Sequence, residues 1–576
     1  MRFPVAFLLI MASFFPTLGK AAVTRLCNIE IEADEEIDFS GTEEAWLCGD
    51  PESQAWKSIP LPQQKTFLES FLQSRGYHSA RVKQEGELLK VNAGSRMLVE
   101  RFTVVNAPKE WNWAKKWDVK GKPLNPPTLD EASSWAKREL QQRGFSCPVI
   151  SPMAYLDRKE ILLTLEPGEP FRFGEIETVG NSALDPKILE RFSAYRKGQM
   201  FDVRLLELTA SRILLEDLYL STYFEVVCQD QEPVRVIRRS VPAQPRLFTI
   251  GAGFDTERGP LVRARFKWAR LGQAANSLET SLFAALKEQT FDARYHYYFL
   301  KDLSSRVRLV PFLSVKRLDE DKFNSVTTQI GSRIANSWER EDYNFYAEVG
   351  PLAERANTTE GAGPKKVDSV KWSTKLTATS HLYEYYQTNP RQGWMANLET
   401  SSQFGGVLSE ETVQRIFFQH QILWNLGRWE PPFLVLGWRG WAGTYLLNNP
   451  SAASVAVPVE QRFYFGGDDN IRGFSRKEIP GSNEGFLTGI YQGFELRTGG
   501  WFPLNLQPLL FLDWAKGGLS PTQLSRTHYF ATGLGVRWDS PLGTIRSTLG
   551  HGFVGNRTPI DPNPHLQFFF SFGKEF

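Results

Sequence analysis

The C-terminal portion of the chain alternates in polarity with period two, in segments of about ten residues separated by turn signals. In Val262–Trp268, the residues Val262, Ala264, Phe266 and Trp268 share one face, and Arg263, Arg265 and Lys267 share the other. Leu512 and Trp514 lie opposite Asp513, and Leu534, Val536 and Trp538 lie opposite Arg537 and Asp539. Leu566, Phe568, Phe570 and Phe572 fall on one side of a segment near the C-terminus, whereas Leu282–Gln289 shows no clear pattern. The apolar faces carry bulky aromatics, and the opposite faces carry charges and small or polar residues. That division suits hydrocarbon outside and water inside a closed barrel, and turn signals divide the region from Arg246 onward into about 16 strands, an even number as bacterial barrels require.

Composition agrees with this reading but does not single it out. Aromatics make up 13% of the chain while mean hydropathy is only -0.33, as expected where only alternate residues face lipid. Net charge is +2, from 67 basic and 65 acidic residues interspersed along the chain, so no global field points to nucleic acid. Arg2, the apolar run Pro4–Phe15 and small residues near Ala21 read as a signal peptide over residues 1–21. The run is too short to span a membrane comfortably as a helix, so any span of the mature chain is expected to be a closed barrel. Of the four cysteines, Cys27 and Cys48 are close enough in sequence to close a loop in an exported chain. Cys147 and Cys228 lie in different repeats, and nothing in their spacing pairs them.

Before the barrel, helices and strands mix. Helical patterns cover Pro62–Gln73, Leu129–Gln142, Pro186–Phe192 and Val203–Leu218. Ser74-Arg75-Gly76-Tyr77 and Gln142-Arg143-Gly144-Phe145 end two of these helices, 68 residues apart, and each is followed by a strand, a turn and a second strand. Glycine after a helix supplies the left-handed residue that stops it, and the aromatic that follows can pack back on the sheet. A degenerate third copy follows Val203–Leu218. The period is too long for a common solenoid, so the segment reads as small α+β modules in tandem, over residues 22–103, 104–170 and 171–244, with the barrel over 245–576.

Rival functions leave little trace. The seven histidines (His78, His296, His381, His420, His528, His551 and His565) are scattered and sit in no nucleophile or metal motif, so no catalytic residue, metal or cofactor is expected. No nucleotide-binding loop is present. A passive porin would account for the barrel but not for the repeated modules.

The longest turn-rich stretch, Leu447–Glu484, contains Gly466-Gly467-Asp468-Asp469-Asn470-Ile471-Arg472-Gly473-Phe474. Downstream come Phe511-Leu512-Asp513-Trp514-Ala515-Lys516-Gly517 and a Gly533–Arg546 segment reading Gly-x-Gly-x-Arg-Trp-x-Ser-Pro-x-Gly. In this order and spacing they resemble the signature of the outer-membrane assembly and secretion barrel superfamily, whose members carry polypeptide-transport-associated (POTRA) modules ahead of the barrel. Three modules, about 16 strands and this length look most like its TamA branch, the outer-membrane subunit of the translocation and assembly module; two-partner secretion transporters, the nearest alternative, have two modules. The resemblance implies an outer-membrane location with the modules in the periplasm, a role in inserting or exporting other proteins, unfolded outer-membrane proteins as clients, contact with outer-membrane lipid, and a TamB-like inner-membrane-anchored partner. It implies that the loop carrying Gly466, Gly467, Ile471, Arg472, Gly473 and Phe474 folds back into the barrel, with Asp513 as the partner of Arg472; alternation independently puts Asp513 on the lumen side. Glu495 is a second candidate inward acid. The first barrel strand, near Leu247–Phe254, contains Gly251 and Gly253, and the last contains Gly573 and ends on Phe576. A seam between two glycine-bearing strands could open and let a client strand pair with a free edge.

Overall fold

The computed structural model describes residues 22–50, 58–108, 117–179, 184–228, 234–272, 274–386, 389–406, 409, 411–427, 432–447, 453–482, 484–540, 543–559 and 561–572. The signal-peptide reading of residues 1–21 and the seam residues Gly573 and Phe576 lie outside the described residues. The chain divides into two compact units, residues 1–141 with 147–169, and residues 142–146 with 170–576.

In the first unit, Ala22–Leu26 and Ile29–Ala33 form a hairpin on a sheet completed by Leu88–Gly94 and Arg81–Glu85. The helices Gly41–Cys48 and Leu61–Ser74 bury Leu47, Leu68 and Leu72 against Ile29, Ile31, Leu89 and Val91 of this sheet. The shorter helix escaped the sequence reading because its eight residues are too few to display a clear period; Ser40 and Glu43 cap it reciprocally. Cys27 and Cys48 form a disulfide with Cα atoms 5.8 Å apart, and no described cysteine is free. The second sheet has the order Arg101–Val105, Glu160–Glu166, Val149–Tyr155, with the helix Pro126–Gln141 upon it. Here one expected boundary needs correction. Division at residue 103 would cut the strand Arg101–Val105, whose parallel pairing with Glu160–Glu166 assigns all of it to the second module. The helix also starts three residues before the expected Leu129, because Asn125 accepts the Thr128 N–H at 3.0 Å and two prolines occupy positions where no N–H is needed. Gly76 and Gly144 have φ of 95° and 108°, the left-handed conformation inferred from the repeat.

In the second unit, a third small sheet (Glu177–Val179, Arg235–Pro242, Tyr219–Val227) packs with Pro186–Leu189 and Val203–Leu215. Sixteen antiparallel strands, from Arg246–Asp255 to Leu566–Phe572, then close into a barrel in which each strand pairs with the next in sequence. Closure follows from chemistry: a strand edge left open in hydrocarbon would leave unbonded N–H and C=O groups. Burial follows the alternation. In Leu506–Gly518, Gln507, Leu509, Phe511 and Asp513 are buried toward the interior, and Leu510 and Leu512 are exposed outward. The unpatterned segment Leu282–Gln289 is a hairpin tip, joining the end of Asn276–Ala285 to the start of Glu288–His296, so no single alternation runs through it.

The third module is joined to the adjacent barrel end by a buried ionic hub. Arg212, on the helix Val203–Leu215, grips Glu384 with Nε and Nη2 at 2.7 and 2.6 Å, and reaches Glu339 at 2.5 Å. Glu339, at the end of the strand Phe323–Glu339, also accepts from Arg306 at 2.8 Å and contacts His381 at 3.0 Å. Arg306 in turn donates to the carbonyl of Ser193 at 2.9 Å. Beside the hub, Ile188, Leu189 and Ile213 pack on Ala269 and Ala275.

Candidate functional site

The long segment between the strands Phe433–Leu447 and Thr488–Gly499 returns into the barrel, where it carries its own apolar core. Phe463, Phe465, Ile471, Phe474, Ile479 and Phe486 are buried together with the wall residues Tyr491, Leu509, Phe511 and Tyr529. The loop is internally a hairpin: Phe463 and Phe486 exchange backbone bonds at 2.8 Å, and the Phe465 N–H donates to the Ile479 carbonyl at 2.8 Å. Gly466 and Gly467 turn it, at φ of 103° and 109°, and Asn470 Oδ1 accepts from the N–H groups of Gly466 and Ile471, both at 2.6 Å.

Arg472 stands at its centre, fully buried, as is Asp513. Its Nε and Nη2 donate to the two carboxylate oxygens of Asp513 at 2.9 and 3.0 Å, and its own backbone N–H adds a third bond at 3.1 Å. Nη1 reaches Glu495 at 2.7 Å, and the guanidinium lies 3.7 Å from the centroid of the Phe511 ring. The planar fork of arginine suits this two-oxygen grip, which a lysine could not reproduce. Tyr491 donates to Asp513 at 3.0 Å and accepts from Arg439 at 3.1 Å. Arg546 lies 3.7 Å from both Glu495 and Asp468. Three cations thus face three carboxylates, fully buried at Arg472 and Asp513 and partly open to water at Glu495 and Arg546, and this pairing is how buried charge is tolerated.

Backbone packing makes this grip accessible. A Cβ on Gly473 would lie 2.4 Å from the Gly552 nitrogen, and one on Gly550 would lie 1.9 Å from the Arg472 carbonyl oxygen. The loop therefore rests directly on the backbone of the strand Gly543–Gly555. The sequence reading singled out Gly473 but not its counterparts Gly550 and Gly552; the spacing Gly550-His551-Gly552 on one strand was the available signal.

A second set of contacts was not foreseen. Arg476 meets Glu320 at 2.7 Å and Glu288 at 3.4 Å, and Lys477 meets Glu320 at 3.1 Å. Lys322 donates to the carbonyl of Glu478 at 2.6 Å and to that of Pro480. The run Lys316–Lys322 holds a charge at nearly every position, so alternation could not distinguish its inward members. The loop is thereby fastened to opposite walls of the barrel. Beside it remains a cavity of about 490 Å³, on whose wall Arg333 pairs with Glu348 at 2.9 Å and Lys371 with Glu354 at 2.6 Å.

The seam is the second notable feature. The first strand, Arg246–Asp255, makes ten ladder pairs with Gly259–Leu271, and the last makes seven with Gly543–Gly555. Among the described residues the two strands make two pairs with each other, Phe254 with Phe572 and Asp255 with Ser571. Thr256 adds bonds to Phe570, its N–H donating to the carbonyl at 3.0 Å and its Oγ1 accepting from the N–H at 3.2 Å. All residues from Arg246 to Ile250 are exposed, on both faces, with Phe248 and Ile250 at 65% and 67%. Gly251 and Gly253 lie in this strand opposite Arg263 and Leu261.

The histidines do not converge, and among the described residues no group of three or more His, Cys, Asp or Glu could hold a metal. The sequence matches the Omp85 superfamily domain over residues 277–576. Among solved structures, the chain is similar to BamA from Haemophilus ducreyi lacking POTRA domains 1-3, at 14% identity over 78% of this chain and 94% of that one, with a TM-score of 0.49. It is also similar to CdiB from Acinetobacter baumannii (11% identity, 82% and 89% covered, TM-score 0.45) and to CdiB from Escherichia coli (12%, 82% and 90%, 0.45). With more than half of its residues matched to that domain, the chain belongs to the Omp85 superfamily.

Proposed function

We propose that this outer-membrane protein is a TamA-type insertase subunit, which assists assembly of other outer-membrane proteins, autotransporters among them, by pairing a client strand with its own first strand. Membership of the Omp85 superfamily supports a role in insertion or secretion of outer-membrane proteins. The observation that carries the finer reading is the seam: two ladder pairs among the described residues, beside a first strand exposed from Arg246 to Ile250. An unpaired row of N–H and C=O groups is a template for another strand, and such pairing gives affinity without demanding a fixed client sequence. Three small sheets ahead of the barrel favour this over a two-partner secretion transporter. In this reading the modules are POTRA domains in the periplasm, where their sheet edges receive extended segments of clients and of a TamB-like partner. Arg472, held by Asp513 and Glu495, keeps the loop seated while the wall works.

The test is to join the seam covalently. Phe254→Cys with Phe572→Cys places thiols on a directly opposed pair. A urea-denatured eight-stranded outer-membrane barrel is added to liposomes carrying the protein, and insertion is read as heat-modifiable gel mobility. Oxidation is expected to stop assisted insertion and reductant to restore it. Full insertion with the seam joined would overturn the proposal.

A further inference from the structure

The lumen loop touches both sides of the seam. On one side, Glu257, in the turn after the first strand, accepts the Asp468 N–H at 3.2 Å, and Arg258 lies 3.8 Å from Asp469. On the other side, Ser475 Oγ donates to Gln567 of the last strand at 3.3 Å, and Glu478 lies 3.4 Å from His565, just before that strand. The His565 ring also stands edge-on to Phe474 at 5.5 Å. Eleven consecutive loop residues, 468–478, therefore bridge the gap that the two strands themselves span with few bonds among the described residues.

From this juxtaposition we infer that the loop is a clasp across the seam, so that the seam opens only when the loop releases one of its two sides. The inference rests on the seam reading proposed above and adds what controls it. Admitting one client strand moves the seam strands apart by about one inter-strand spacing, about 4.8 Å. Hydrogen bonds weaken steeply beyond about 3.5 Å, so contacts of 3.2–3.4 Å cannot persist on both sides of a gap that has widened by more than their own length. The loop cannot stretch to follow, because Arg472 fixes its middle to the strands Thr488–Gly499 and Leu506–Gly518, and Arg476 fixes it to Glu320. One side has to let go. Glu257 and Gln567 are thus positioning residues for the seam, acting through the loop.

The experiment bridges the loop to each side without linking the strands themselves. Asp469→Cys with Glu257→Cys joins loop to turn, Ser475→Cys with Gln567→Cys joins loop to last strand, and a short, reducible bis-methanethiosulfonate reagent connects each pair. Insertion of the same urea-denatured eight-stranded barrel is measured, each protein being compared with its own reduced form and with the parent chain treated identically. With both bridges in place, insertion is expected to fall at least tenfold and to return on reduction. With either bridge alone, it is expected to fall less than threefold, since the other side remains free to part. Insertion that persists under both bridges, while the Phe254–Phe572 cross-link abolishes it, would overturn the clasp and leave the seam reading intact. Insertion that persists under the Phe254–Phe572 cross-link as well would remove the seam reading, and the clasp with it.

Discussion

Replacing Arg472 by alanine removes a cation from a place where water cannot substitute for it. Asp513 would keep the Tyr491 hydroxyl at 3.0 Å and the backbone N–H of residue 472 at 3.1 Å, and Glu495, partly open to water, would keep the more distant Arg546 at 3.7 Å. The cluster would change from three cations against three carboxylates to two against three. Removing one partner of a buried pair costs about 3–5 kcal/mol, which is about two to four powers of ten in the ratio of seated to released loop. The cost acts on loop seating first, because releasing the loop rehydrates both carboxylates while the strand ladders persist. Amide exchange is the matching assay: the Phe463, Phe465 and Phe486 N–H groups are bonded only within the loop hairpin, so their exchange is expected to rise at least a hundredfold in Arg472→Ala. Asp513→Ala should act similarly, and the double variant should cost less than the sum of the two. If Arg472→Ala leaves these amides within threefold of the parent and heat-modifiable mobility unchanged, the arginine does not hold the loop.

Three other outcomes follow from the geometry. Gly550→Ala drives a methyl group into the Arg472 carbonyl oxygen, 1.9 Å away, and should destabilise the protein by about 1–3 kcal/mol, seen as an earlier heat transition on gels. Arg212→Ala strips Glu384 of its two-pronged partner and leaves Glu339 with Arg306; spin labels on the helix Val203–Leu215 and on the turn Arg340–Asp342 should then show a broadened distance distribution, and an unchanged narrow one would rule out the hub as the fastening. Burial alone would raise the Glu43 carboxyl, but hydrogen bonds from Arg75 and from Ser40 outweigh it and hold it below the ordinary glutamate range. Its stabilising contribution is therefore present above the unfolded-state value and is lost as pH falls through the lowered folded value; helix Gly41–Cys48 amides in the full chain should lose protection on acidification, and Glu43→Gln should flatten that dependence.

The barrel was readable because lipid and water impose opposite demands on alternate residues, and Phe266, Trp268, Leu512 and Phe568 satisfy the outward one, even though Leu509 and Phe511 place apolar side chains inward as well. Where the chain turns, as between Leu282 and Gln289, the period breaks and the pattern with it. Alternation made the inward position of Asp513 legible, but its pairing with Arg472 came from the superfamily resemblance, because the distance between two segments in sequence says nothing of their distance in space. Arg476 with Glu320, and Arg212 with Glu339 and Glu384, were not legible at all. Each joins residues more than a hundred positions apart; Glu320 and Glu339 lie at strand ends and Glu384 in the five-residue helix His381–Tyr385, where no polarity period carries directional information. Gly550 and Gly552 belong to a third category: their same-face spacing hints that something lies close, but a single strand's sequence does not say that the neighbour is the backbone of the loop.

The loop's residence inside the barrel has a consequence for the cell envelope as a permeability barrier. Phe463, Phe465, Phe474 and Phe486 occupy, together with a balanced group of charges, space that a porin leaves to solvent. A polypeptide traversing the membrane along the part of the lumen that these residues fill would first have to displace the resident chain. On the seam reading proposed above, large clients would instead pass into the wall, and the lumen could stay filled by the loop's own core.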